Sequence, residues 1–398
     1  MPASTDIGSG TRLLLDLWRG SCDPGCSTDG KQDWQSFLAA CDFHQVGPIV
    51  FHRFQGRSNR LIPPRVFEQL RARFYRVSAY NHRLAMLLGQ LVEQFDQHRI
   101  PCLALKGPAV AMAAYGDLSL RQYEDIDILV RVEDVSKAVE MLFTRGFRPA
   151  RGHAERYKHL KLYHEITLQA ADESYSVDLH WQLAPPYARV FGPDSSALWS
   201  RAVKLHIPSG DVAVLGRDDL FLSLCQHGTR HRWWQLKWLF DVSELLRQPG
   251  RLDWSRIEEA FTMYPMARPP ASLAAFLARE LLGTHVPRNV ARILDPAERT
   301  RGVACAIRGE FLSRGQTNRS AHDTLLGLEP RPLIRAKYMA LEAIQYPVRE
   351  ILFTITEKDL QFVRVPRRLR ILYYVIRPLR LLVQHGPAAA RRIWSMAR

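Results

Sequence analysis

Apolar and polar positions alternate most clearly in the middle of the chain. Along Asp125-Ile126-Asp127-Ile128-Leu129-Val130, side chains two apart share a face of a strand, so Ile126, Ile128 and Val130 point one way and the two carboxylates the other. The run Ile100 to Leu105 predicts a strand that ends at the Lys106-Gly107 turn, with a helix from Ala109 to Tyr115 after it. Tyr175 to Trp181 alternates as a further strand, with Asp178 and His180 on one face and Val177, Leu179 and Trp181 on the other. Leu162 to Gln169 predicts one more.

Helical spacing fills most of the rest. Leu13, Leu14, Leu17 and Trp18 mark one helix, and Trp34, Phe37, Leu38 and Cys41 a second, joined by a Gly/Asp/Ser-rich loop around 23–30. Pro64 is a good first-turn residue for a helix running to about Gln97. Val132 to Arg145, with Glu133 and Asp134 in its first turn and Gly146 at its end, predicts another. Asp218 to Arg247 is expected to be one helix, on which His227, His231, Trp234, Trp238 and Asp241 form a single stripe. Such a stripe serves either as core packing or as an interdomain surface edging a cleft. Residues 251–310 are helical by pattern and broken by Pro265, Pro269 and Pro270.

The resulting organisation is a helical N-terminal region (1–98), an α/β core (99–184), a helical domain (185–330) and a basic helical end (331–398). With 398 residues, 46% hydrophobic and 24% charged, the chain is globular and long enough for two to three domains. A net charge of +15 favours anionic partners: nucleotide phosphates, an acidic membrane surface or, less favoured, nucleic acid. From Arg364 onward nine arginines stand without any Asp, Glu or Lys, a pattern that suits an anionic membrane surface, RNA phosphates, an acidic protein partner or a solvated helix pair. Six scattered cysteines exclude a dense disulfide framework, and a zinc site at Cys22 and Cys26 lacks two further ligands. No secretory or membrane-spanning pattern stands out, so a cytoplasmic location, peripheral to the inner face of the membrane at most, is expected.

Two carboxylates leaving one face of a strand beside an apolar layer raise each other's pKa unless a cation lies between them. Either they form a solvated strand edge or they hold a divalent metal. Asp178 offers a third carboxylate, and His180 shares its face.

In this order the Lys106-Gly107 turn, Arg121 ahead of Asp-Ile-Asp-Ile-Leu-Val, and Val-Asp-Leu-His-Trp at 177–181 resemble bacterial nucleotidyltransferases of the polymerase β superfamily, in particular an uncharacterised subgroup. The resemblance spans roughly residues 85 to 250. It implies an α+β fold, a mixed sheet with flanking helices, carrying Asp125, Asp127 and Asp178 as ligands for Mg²⁺ or Mn²⁺. It further implies transfer of a nucleoside monophosphate from a nucleoside triphosphate to an acceptor hydroxyl, with release of pyrophosphate. Lys106, Gly107, Arg121, His180 and Lys237 are the expected nucleotide contacts. Pro108 stands where the superfamily usually has a triphosphate-binding serine, a departure that bears on the donor. The acceptor, a sugar, metabolite, peptide or protein side chain, is not specified. A metal-dependent glycosyltransferase using a nucleotide sugar and a non-catalytic protein of the same fold are the competing readings.

Overall fold

The computed structural model describes residues 7–21, 33–56, 61–150, 153, 156–161, 163–185, 188, 189, 195–248, 252–312 and 321–336, and a few positions between 362 and 380. The basic C-terminal end and the Cys22/Cys26 loop lie outside the described residues, apart from those few positions. The four described cysteines are free thiols. No helix among the described residues is long and apolar enough to cross a membrane.

A seven-stranded mixed sheet runs in the order β3-β4-β5-β2-β1-β7-β6. Its strands are β1 (Cys102–Ala104), β2 (Asp125–Val130), β3 (Arg148–Pro149), β4 (Glu165–Gln169), β5 (Ser176–His180), β6 (Val203–Ile207) and β7 (Gly210–Val214). Strand β2 pairs antiparallel with β1 and parallel with β5, in a register that sets Asp127 opposite Asp178. Strands β4 and β5 form an antiparallel pair with Glu165 opposite His180. The β6–β7 hairpin, closed at Gly210, adds to the sheet through β7, parallel to β1. This hairpin is an addition to the helical domain expected over 185–330.

One face of the sheet is wholly apolar. Ile126, Ile128, Val130, Val177, Leu179, Ile166, Leu168 and Trp181 pack against Leu84, Leu88 and Leu91 of the long helix α4 (Pro64–Gln97) and Val135, Val139 and Leu142 of α5 (Val135–Thr144). Each such aliphatic side chain contributes roughly 1.5–3 kcal/mol by leaving water. Helix α4 has the bounds that the sequence predicts, because Pro64 fixes its first turn and no internal proline interrupts it.

The opposite face meets the helical part of the chain. Leu103, Leu105 and Leu129 join a second core with α1 (Ile7–Arg19), α2 (Trp34–Phe43), α3 (Gly47–Phe54), α6 (Arg217–Arg230), α7 (Leu236–Arg247), α8 (Trp254–Met263), α9 (Arg268–Leu282) and α10 (Glu298–Leu312). The carboxylates therefore leave the sheet toward a wall of helices rather than toward open solvent.

Helices α6 and α7 correct the single helix expected over 218–247. The first ends at Arg230, and Arg232 and Trp233 both adopt a left-handed backbone, φ +55°. Trp233 folds back so that its N–H donates to Gly228 O at 2.7 Å, and its ring fills the place where a Gly228 side chain would begin. Arg232 is anchored by an ion pair to Glu310 and by a 2.8 Å hydrogen bond to Thr324 Oγ1. No proline marks this break, and glycine lies four residues too early to signal it. Tertiary anchoring, not local propensity, ends the helix.

Candidate active site

Period-two alternation on β2 and β5 puts Asp125, Asp127, Asp178 and His180 on one face. Asp127 is the most enclosed of the carboxylates, with 3% of its side chain exposed. Lys106 Nζ donates to its Oδ1 at 2.7 Å, and His180 Nε2 lies 3.0 Å from the same oxygen. Ligand atoms of Asp127, Asp178 and His180 all fall within 4.8 Å of one another. Asp125 lies outside that tight set, two residues along the same face at the mouth of the strand.

Lys106 reaches Asp127 because the chain turns sharply after β1. Gly107 has φ +53°, and a Cβ there would lie 3.3 Å from Asp125 O, so glycine suits both the backbone and the space. Pro108 then opens a short helical segment, Pro108–Val110, continued by a wider turn over Ala111–Tyr115.

The segment entering β2 is clamped at three points. Asn81 Nδ2 on α4 donates to Leu118 O and Arg121 O at 2.6 and 2.7 Å. Arg121 Nε lies 2.9 and 3.0 Å from the two oxygens of Asp241 on α7, a pair buried to 4% and 0% exposure, and Tyr115 OH donates to Asp241 Oδ1 at 2.9 Å. Gln45, in the turn between α2 and α3, donates to Glu124 Oε1 at 2.9 Å and accepts from Lys237 Nζ. Gln45 is itself left-handed, φ +54°.

Of the expected nucleotide contacts, Lys106 and His180 thus converge on Asp127, and Gly107 forms the turn beneath them. Arg121 carries its charge beside the carboxylates with Nε committed to Asp241. Lys237 lies nearby, its amine pushed down to about 8 by burial and by Arg121. Although the stripe predicted on one helix is divided between two, four of its rings still meet. His227 and His231 are 4.5 Å apart, Trp238 packs on both at 5.2 and 5.3 Å, and Trp234 lies 5.7 Å from Trp238. Asp241 turns away to Arg121.

Glu165 went unnoticed in the sequence. It pairs with His180 across β4–β5, and its Oε2 lies 3.3 Å from His180 Nδ1 and 3.2 Å from His164 Nε2. The signal was available: matching the apolar faces of the Glu165–Gln169 and Ser176–His180 hairpin sets Glu165 opposite His180.

The electrostatics are those of crowded acids. Burial and then Asp127 push the Asp178 carboxyl up to about 7, and the same causes raise Asp125. Burial would raise Asp127 too, but Lys106 and His180 outweigh it and hold that carboxylate well below its usual range. Lys106 is raised: burial opposes its charge, and Asp127 and Asp125 overcome that. Asp178 Oδ1 is buried without a hydrogen-bond partner among the described residues. A buried acceptor with no donor beside a second carboxylate is the environment in which a hard, oxygen-seeking cation restores balance. These residues fit a divalent metal.

Comparison with known proteins places the chain. Residues 30–283, more than half of the chain, match the family described as uncharacterised nucleotidyltransferase, and the chain belongs to that family. No curated protein sequence matches it. Among solved structures, the antibiotic-resistance factor ANT(2'')-Ia is 12% identical, covering 46% of this chain and 91% of its own, with a TM-score of 0.33. An antigenic nucleotidyltransferase-like protein from Paracoccidioides brasiliensis is 14% identical, covering 54% of this chain and 98% of its own, with a TM-score of 0.30.

Proposed function

We propose that the protein transfers a nucleoside monophosphate from a nucleoside triphosphate to an acceptor hydroxyl, using Mg²⁺ or Mn²⁺ held by Asp125, Asp127 and Asp178. The observation that carries this reading is the buried Asp178 Oδ1, without a hydrogen-bond partner among the described residues, facing an anchored Asp127. In the reaction the acceptor hydroxyl gives up its proton to water, its oxygen bonds to the α-phosphorus in line, the bond to the bridging oxygen breaks, and pyrophosphate leaves. A divalent cation bound here neutralises phosphate charge and acidifies the attacking hydroxyl. Lys106 and Lys237 supply fixed positive charge beside the triphosphate, and the Gly107 turn brings backbone close to it. Arg121 holds the mouth of β2 in place and adds its field to theirs. Asp127 is fastened by Lys106 and His180 through Oδ1, which would leave its second oxygen for a metal. The helical wall of α6 and α7 limits the water around the reacting atoms.

Titration calorimetry of a nucleoside triphosphate panel in Mg²⁺ or Mn²⁺, with Asp127→Ala alongside, tests the reading. Metal-dependent triphosphate binding that disappears in Asp127→Ala is the expected result. Binding indifferent to metal and to that substitution, or a preference for nucleotide sugars, would overturn it.

A further inference from the structure

A line of alternating polar groups continues behind the site. From α6 the Arg230 guanidinium reaches His164 Nε2 at 3.1 Å; then come Glu165 Oε2, His180, Asp127 Oδ1 and Lys106 Nζ, joined at 3.2, 3.3, 3.0 and 2.7 Å. His164, Glu165 and His180 also have the make-up of a separate metal site, with ligand atoms within 4.8 Å of one another. Arg230 argues against one, because its positive charge points at His164 Nε2, the atom that would have to ligate. An arginine N–H can only donate, so His164 Nε2 accepts from Arg230 and is taken. His164 is pushed down to about 4 by burial and is neutral at pH 7. The His180 ring lies between two carboxylates, with Nε2 against Asp127 Oδ1 and, on its other side, Nδ1 against Glu165 Oε2. That nitrogen is buried, lacks a well-angled hydrogen bond among the described residues, and faces Glu165 Oε2.

We infer that Glu165 is a positioning residue for nucleotidyl transfer: it fixes the His180 ring from behind, so that Nε2 stays against Asp127 Oδ1 and the other oxygen of Asp127 is left for the metal. The inference rests on the function proposed above. It assigns His180 to holding a ligand rather than to being one, and gives the β4 strand, which carries no metal ligand of its own, a part in the chemistry. Partners of this kind, one step removed from the metal, typically change metal affinity or activity by 10–100-fold when mutated.

The test measures Mn²⁺ affinity by electron paramagnetic resonance on the full chain without nucleotide, with thermal melting to check that each variant is folded. Glu165→Gln, which keeps the shape and loses the charge, is expected to weaken Mn²⁺ by at least about tenfold. Glu165→Asp keeps the charge but withdraws it by one methylene, and is expected to weaken Mn²⁺ nearly as much. In a His180→Gln background Glu165→Gln is expected to change affinity by less than about twofold, because a residue that acts through His180 has nothing left to act on. Full additivity of the two substitutions, or wild-type affinity in Glu165→Asp, would overturn the inference and leave Glu165 as a distant charge. Wild-type protein that binds no Mn²⁺ would instead overturn the metal-dependent function itself, and this inference with it. If Glu165→Gln does not fold, the Glu165→Asp and His180→Gln pair gives the same cycle.

Discussion

The Arg121–Asp241 pair makes a sharp prediction, because both ends are almost fully enclosed and each is the other's charge partner. Replacing Asp241 with Ala leaves the Arg121 guanidinium buried beside Lys237 and takes the acceptor from Tyr115 OH. Breaking one side of a buried pair costs about 3–5 kcal/mol, and an orphaned buried hydroxyl adds about 1–3 kcal/mol. The sum, roughly 4–8 kcal/mol, rivals the whole stability of an ordinary domain at about 5–15 kcal/mol. Urea unfolding followed by tryptophan fluorescence should therefore show Asp241→Ala partly or wholly unfolded before denaturant is added. Arg121→Met with Asp241→Leu removes both charges and should recover most of the loss, since well-packed apolar replacements of buried pairs are often neutral. A loss below about 1 kcal/mol in Asp241→Ala would refute the reasoning, showing that water reaches the pair. An unrecovered double variant would show that its charge, and not only its packing, is needed to hold the β2 entry.

His44 predicts an acid limit. Its Nδ1 accepts from Leu236 N at 3.3 Å and burial pushes it down to about 3, so below pH 6.5 the unfolded chain binds a proton that the folded one refuses. Stability is then lost as pH falls from about 6.5 toward 3, at up to about 1.4 kcal/mol per unit, and urea midpoints should fall less steeply with acid in His44→Gln. Gly228→Ala places a methyl 2.4 Å from the Trp233 ring, and melting should show a loss of about 3 kcal/mol or more, with the tryptophan emission shifted. Asp178→Asn removes one of the crowded carboxylates, and without metal it should melt about 2 °C higher than wild type while losing nucleotidyl transfer, measured by pyrophosphate release.

What the sequence disclosed follows physical range. The faces of β2 and β5 were legible because alternation is a property of a few adjacent residues, and Asp125, Asp127, Asp178 and His180 follow from it directly. Helix α4 was legible for the same reason, through Pro64 and an unbroken spacing. The division of α6 from α7 was not, because it depends on Glu310 and Thr324 gripping Arg232 from some eighty to ninety residues away. The β6–β7 hairpin was hidden by Pro208-Ser209-Gly210, which reads as a linker until β1 is seen to need a partner strand. Glu165 needed the register of two strands at once, and the pairing of Arg121 with Asp241 needed the packing of α7 against the β2 entry.

Gln45 carries a further meaning for how the protein can be taken apart. A single amide links the turn after α2, the entry to β2 at Glu124 and the first turn of α7 at Lys237. The carboxylates of β2 and β5 lie in the middle of the chain, yet the contacts around them come from both sides in sequence. A fragment cut at residue 98 would retain every carboxylate and lose an edge of the bowl. Transplanting the central strands onto another scaffold would move the carboxylates without the Gln45 link that ties them to helices on both sides in sequence.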